Sequence, residues 1–201
     1  MTAAPLWQVA LQGRAIEAAV IGASAGGVAA LLDILPGLSS ASRLPVVVVL
    51  HLMSGRQSQL AEVFSQRLPV PVREAQDKDS LVPGTVYFAP ANYHLSVEND
   101  GTLSLSCEPP RHFARPAIDF AMESAADAYG PALAGILLTG ANEDGAAGMA
   151  AIGRAGGLTV VQEPSEAQVA VMPAAAIRLR APDLILPLRD IRSLLAMLET
   201  H

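Results

Sequence analysis

Seven short apolar runs recur along the chain, and polar or amphipathic stretches separate most of them. They lie at Glu17 to Gly22, Val46 to His51, Val70 to Glu74, Val86 to Ala89, Gly135 to Thr139, Leu158 to Val161 and Asp183 to Leu186. Most are β-branched and apolar without a break, the pattern of strands buried on both faces. Between several of them the spacing of apolar positions changes to that of a helix. It predicts helices at Gly27 to Leu35, Gln57 to Arg67, Pro116 to Tyr129, Ala146 to Ala155, Pro173 to Ile177 and Ile191 to Glu199. Strand and helix in alternation predict an α/β fold, a mainly parallel sheet of about seven strands with helices on both faces.

One segment follows a different rhythm. Tyr93 to Val97 and Thr102 to Ser106 alternate polar and apolar positions around Glu98-Asn-Asp-Gly101, which predicts an antiparallel hairpin flap added to the sheet. Arg115-Pro116 then announces a helix, with the proline suited to its first position. No internal repeat or domain-separating linker is evident. Residues 1–15 read as a loose lead-in and 16–201 as a single domain.

Composition narrows the function classes. The chain has 201 residues, 51% of them hydrophobic and 16% charged, enough apolar surface for a substantial core and too much for disorder. A net charge of −6 with no long basic run argues against a nucleic-acid footprint. The longest apolar run, Leu44 to Leu52, is broken by Pro45 and His51 and is too short to span a bilayer, so no membrane insertion is expected. Leu6 to Leu11 lacks a basic lead and a cleavage pattern, so no signal peptide is read there. With a single cysteine, Cys107, there is no internal disulfide, and a cytoplasmic location is the simplest reading.

The chemistry gathers at predicted strand ends, where parallel sheets bind their ligands. Ala19-Val-Ile-Gly-Ala-Ser24-Ala-Gly-Gly27 is a strand, a turn and the start of a helix. In a dinucleotide-binding turn a glycine would stand where Ser24 is, so a hydroxyl replaces the close backbone approach to a pyrophosphate. Small neighbours leave the serine open, as in a nucleophile elbow. His51 ends the second strand, and Asp144 lies in Thr139-Gly-Ala-Asn-Glu-Asp-Gly145 after a later one. A serine needs a base, and the base needs a carboxylate to orient it. Each residue also has a plain structural reading: a small residue in a tight turn for Ser24, a capped strand end for His51, and the N-cap of the following Ala-rich helix for Asp144. Together at three strand ends they form a candidate triad in the order Ser–His–Asp.

The other titratable residues read as structural. His94 lies in the flap. His112 sits in the small basic patch Arg111-His-Phe-Ala-Arg115, which suits an acidic partner or plain solvation. Cys107 reads as a packing residue and Asp119 as an answer to its own helix dipole. No Cys/His cluster or paired carboxylate has metal-site spacing, so neither metal nor cofactor is expected.

These motifs are together similar to those of the chemotaxis receptor methylesterase family, the CheB catalytic domain. The resemblance runs through Ile21-Gly-Ala-Ser-Ala-Gly-Gly27, His51, Leu81-Val-Pro-Gly-Thr-Val-Tyr-Phe-Ala-Pro90, Tyr93-His94, Arg115-Pro116 with Asp119, Leu137 to Met149, and Met172-Pro173. It covers roughly residues 16 to 190. It implies a three-layer α/β/α sandwich that removes methyl esters from glutamate side chains on cytoplasmic chemoreceptor helices, releasing methanol, and that also deamidates certain receptor glutamines. By motif it makes Ser24 the nucleophile, His51 the general base and acid, and Asp144 the orienting carboxylate. The backbone N–H groups of Ala25 and Ala141 become oxyanion donors, with His94, Arg115 and Met172 forming or supporting the rim.

Three departures bear on this. Ala141 and Asn142 stand where family members carry methionine and glycine, which removes an apolar wall; asparagine is expected to adopt glycine's left-handed backbone there. Val171 stands where a glycine often precedes Met-Pro. Family members also begin with a receiver domain, for which residues 1–15 leave no room. Two expectations follow: an excised fragment of a longer protein or, the favoured one, a stand-alone enzyme, unregulated or under a separate regulatory partner. A catalytically idle receptor-binding module and a nucleotide-binding domain are the rival readings. The intact trio speaks against the first, and Ser24 together with His51 speaks against the second.

Overall fold

In a computed structural model describing residues 6–51 and 59–198, seven strands form one sheet in the order β3-β4-β2-β1-β7-β8-β9. They are β1 (Ala18–Ala23), β2 (Val46–Leu50), β3 (Val72–Glu74), β4 (Val86–Phe88), β7 (Leu133–Leu137), β8 (Leu158–Gln162) and β9 (Leu184–Leu186), and every pairing is parallel. Every residue of the four central strands β1, β2, β7 and β8 is buried, as continuous apolar runs demand of a sheet covered on both faces.

Alternation along each strand divides the core into two layers. Ala19, Ile21 and Ala23 face one side with Val46 and Val48; Ala18 and Val20 face the other with Val47 and Val49. The first layer is closed by α2 (Gly27–Ile34), α3 (Leu60–Ser65) and α7 (Leu188–Leu198), and the second by α4 (Ile118–Tyr129), α5 (Ala146–Arg154) and α6 (Val171–Leu179). This is the three-layer α/β/α arrangement that the alternation predicts.

The predicted hairpin forms from β5 (His94–Val97) and β6 (Leu103–Ser106). It makes a separate two-stranded antiparallel sheet, packed against α4 through Leu95, Val97 and Leu103. The segment before it is bonded to its far strand, with Lys78 N–H donating to Leu103 O and Leu103 N–H to Asp79 O.

Several boundaries move for local reasons. Helix α4 begins at Ile118 rather than Pro116, after a cis Arg115–Pro116 bond and an extended Ala117. Helix α6 begins at Val171, because Pro173 falls in the first turn, where a missing N–H costs nothing. The predicted start of α3 at Gln57 and the end of α7 at Glu199 lie outside the described residues. The lead-in is also less loose than expected. Leu6–Ala10 forms a short helix, α1, Leu11 enters the core, and Arg14 pairs with Asp183 at 3.2 Å.

Candidate active site

Strand order places the switch point of the sheet at β1: the chain first moves from β1 to β2 on one side and later returns to β7 on the other. Ligand crevices open at such a point, beyond the carboxyl ends of the strands. Ser24 follows β1 there. Its N–H donates to Thr139 O at 2.9 Å on the β7 side, and its carbonyl accepts Gly27 N–H at 2.8 Å, closing the turn. Gly26 caps α2 with φ of 79°, a conformation that suits glycine. A Cβ on Gly27 would lie 2.5 Å from Leu50 Cδ1, so the helix can start this close to β2 only without a side chain.

His51 reaches the same edge because β1 and β2 pair in register up to Ala23 and Leu50; one residue further, His51 N–H donates to Ala23 O at 3.1 Å. Its ring turns toward Asp144, with Nε2 2.8 Å from Asp144 Oδ2. The imidazole is 11% exposed and the carboxylate is fully buried. Ser24 and His51 are neighbours through their backbones, and among the described residues no hydrogen bond joins the serine hydroxyl to the ring.

Asp144 does not cap the helix that follows it. Both of its oxygens turn instead to the start of α4: Oδ2 accepts Ile118 N–H at 2.7 Å and Oδ1 accepts Asp119 N–H at 2.9 Å. Burial acts against its charge, but the bond from His51 and those from Asp119 and Ile118 prevail and hold the carboxyl below the usual range. An ionised carboxylate only accepts, so His51 Nε2 carries the proton and Nδ1 is the acceptor of the neutral ring.

The loop before Asp144 departs from expectation at Asn142. That residue is not left-handed; its Oδ1 accepts Asp144 N–H at 3.2 Å, and Gly145 supplies the positive φ of 94°. Ala141 is exposed and Ala25 half-buried, and neither N–H has an acceptor among the described residues.

The residues expected at the rim divide. His94 is fully buried behind it, stacked on Phe120 at 4.6 Å; Nδ1 accepts Ala117 N–H at 3.2 Å and Nε2 donates to Pro109 O at 3.1 Å. Met172 is also fully buried, packed so close to Gly140 that a Cβ there would lie 2.5 Å from its sulfur. Both support the rim from below rather than line it. Arg115 is half-buried and donates to the carbonyls of Cys107 and Glu108, tying down the hairpin exit. Cys107 is exposed, not packed, because it lies just past the end of β6.

The basic patch is spent internally. Arg111 holds Glu123 with two bonds of 2.6 and 3.2 Å, and His112 Nε2 lies 3.2 Å from Asp119 Oδ2. Asp119 is itself buried and accepts Gly148 N–H at 2.7 Å, so it caps α5 rather than its own helix. The fold thus gathers His112, Asp119 and Asp144 with one ligand atom each within 4.8 Å, a grouping no spacing in the sequence foretold. Their oxygens are already taken by the hydrogen bonds above, which account for the cluster without an ion.

Fold and rim together define an α/β enzyme domain with a histidine–carboxylate pair at the switch point of a parallel sheet. A crystal structure of the Thermotoga maritima CheB methylesterase catalytic domain superposes with a TM-score of 0.86 at 31% identity, covering 91% of this chain and 98% of that one. The CheB methylesterase family model matches residues 19–195, and the chain belongs to that family. A Leptospira interrogans chain provisionally named protein-glutamate methylesterase/protein-glutamine glutaminase is 40% identical over 185 residues, covering 92% of this chain and 96% of its own length. A Carboxydothermus hydrogenoformans protein named protein-glutamate methylesterase/protein-glutamine glutaminase 1 is 41% identical over 179 residues; this chain spans 52% of it.

Proposed function

We propose that the chain is a serine hydrolase that removes methyl esters from glutamate side chains on the cytoplasmic helices of chemoreceptors, with deamidation of receptor glutamines as its second activity. Ser24 is the nucleophile, His51 the general base and acid, and Asp144 the carboxylate that orients it. The single observation that carries this reading is the 2.8 Å bond from His51 Nε2 to buried Asp144, which leaves Nδ1 as a proton acceptor at the strand end beside Ser24.

Each step balances on these groups. Ser24 Oγ attacks the ester carbonyl while its proton passes to His51 Nδ1. The imidazolium is stabilised by Asp144. The oxyanion of the tetrahedral intermediate is met by the N–H groups of Ala25 and Ala141, each such donor typically worth about 3 kcal/mol. Collapse expels methanol, which takes the proton from His51. Water then repeats the sequence on the acyl-enzyme and releases the glutamate carboxylate. A glutamine amide follows the same course with ammonia as leaving group. No helix among the described residues is long and apolar enough to cross a membrane.

The test is methanol release from methylated chemoreceptor cytoplasmic fragments by wild type and by Ser24→Ala. Release by wild type that falls by a factor on the order of 10^4 or more in the variant is expected. Equal release by both would remove Ser24 from the mechanism.

A further inference from the structure

Asp119 has no part in the steps above, yet it stands directly behind the bond between Asp144 and His51. We propose that Asp119 is a positioning residue for that pair, holding the two helix starts between which Asp144 is fixed. The inference rests on the roles proposed for Ser24, His51 and Asp144.

The two carboxylates cap each other's helices. Asp144 lies just before α5, and its oxygens take the first N–H groups of α4, Ile118 at 2.7 Å and Asp119 at 2.9 Å. Asp119 lies in the first turn of α4, and its Oδ1 takes the N–H of Gly148 in the first turn of α5 at 2.7 Å. The result is a closed circuit from Asp144 to α4, through Asp119 to Gly148 of α5, and back along Ala147, Ala146 and Gly145 to Asp144. Little play remains in it, since a Cβ on Gly148 would lie 2.5 Å from Met122 Cβ and 3.3 Å from Asp119 Cα. Asp144 therefore keeps its place against His51 only while α4 and α5 keep theirs.

The other oxygen of Asp119 is also held. His112 reaches it from a tight turn in which Arg111 and Ala114 exchange backbone hydrogen bonds of 3.2 and 2.8 Å. The two central residues, His112 and Phe113, have φ of 50° and 61°, left-handed values that are costly for side chains of this size. Arg111, clamped on Glu123, fixes one end of this strained turn, and the turn delivers His112 to Asp119.

A plain cap would not need this residue. Serine or asparagine caps a helix without a second buried charge beside Asp144, an arrangement that works against ionisation of both. What aspartate adds in its ionised form, which Gly148 N–H and His112 favour, is negative charge behind the pair, favouring the imidazolium that His51 becomes when it takes the serine proton. The charged and titratable groups around Asp119 are His112 and Arg111 on the turn, Asp144 and Glu143 on the loop before α5, Glu123 on α4, Arg178 on α6, which lines the same cavity, and His51 beyond Asp144.

The experiment compares wild type, Asp119→Ala and Asp119→Asn in two assays: labelling of Ser24 by a fluorophosphonate, and hydrolysis of a small neutral ester across pH. Thermal unfolding of each protein is recorded alongside. Asp119→Ala is expected to lower kcat by roughly 10- to 100-fold, the scale of a small misplacement of catalytic groups, with little change in KM. Asp119→Asn keeps an acceptor for Gly148 N–H and is expected to recover most of that loss. It also removes a negative charge, so the acid limb of kcat/KM moves to lower pH, because neutral His51 then persists further into acid. Unchanged kcat and an unmoved acid limb in both folded variants would overturn the proposal, as would a lower Tm with no change in rate or limb. Should Asp119→Ala fail to fold, His112→Ala frees the Asp119 carboxylate from its turn; a several-fold drop in kcat is expected, and wild-type kcat would overturn the proposal. A wild type that reacts with neither probe overturns the role of Ser24 and this inference with it, whereas a reactive wild type matched by both variants overturns this inference alone.

Discussion

Three N–H groups converge on the Asp144 carboxylate: His51 Nε2–H, Ile118 N–H and Asp119 N–H, at 2.8, 2.7 and 2.9 Å. An asparagine offers one oxygen, and its NH2 group would have to face at least one of these donors. Asp144→Asn is therefore expected to lose both function and stability. A wrong tautomer on His51 costs on the order of 10^4 in kcat where the same roles are known. The buried donor left unpaired costs roughly 1–3 kcal/mol. Ester hydrolysis and denaturant unfolding on the same preparation check the two together; a loss of rate without loss of stability would show that the amide finds another arrangement. Ser24, His51 and Asp144 could be picked out in the sequence because each follows a recognisable strand. Asp119 could not, because its meaning lies in the N–H of Gly148, twenty-nine positions away on another helix. The signal that was present, an aspartate in the first turn of its own helix, holds but gives no hint of the second helix whose N–H it accepts.

At the scale of elements, the contact between α4 and α5 decides how well the site is held. Gly148 is the one position in the first turn of α5 where Met122 approaches so closely that a methyl group has no room. Gly148→Ala is expected to force the helices apart and cost roughly 1–3 kcal/mol, despite the better helix propensity of alanine. In a domain of this size that lowers Tm by roughly 2–4 °C per kcal/mol, measurable by thermal unfolding. An unchanged or raised Tm would mean that the interface yields. The existence and approximate positions of the main-sheet strands were legible because their apolar runs are strong and short; their order in the sheet was not. Helix starts were less so: Pro116 invited an early start for α4, whereas the true start is set by Asp144 and His94, which meet the N–H groups of Ile118, Asp119 and Ala117.

For the whole molecule, the buried carboxylates give acid stability two opposing parts. Asp144 is held below its usual range, so its contribution is present above the unfolded value and is lost only as pH falls through the lower folded value. Asp119 is pushed upward, first by burial and also by the charge of Asp144, although Gly148 N–H acts the other way. A raised carboxyl takes up its proton earlier in the folded state, so its contribution grows as pH falls from neutral through the folded value toward the unfolded one. Asp119→Asn removes that growth. Between pH 7 and pH 4 its unfolding free energy is expected to change in a more destabilising direction than that of wild type, as read from denaturant midpoints at the two values. Parallel curves would remove Asp119 from the acid response.

The sequence by itself determined the α/β class, the approximate positions of the strands and helices, and the family, because these depend on local periodicity and on motifs of adjacent residues. It also nominated a serine, a histidine and an aspartate, since strand ends can be read locally. Only the tertiary structure decided that Asp144 faces His51 through Nε2, that His94 and Met172 lie under the rim, and that Asp119 and His112 stand behind it. Those facts depend on which strand lies beside which and on how closely α4 meets α5, which no local pattern of side chains encodes.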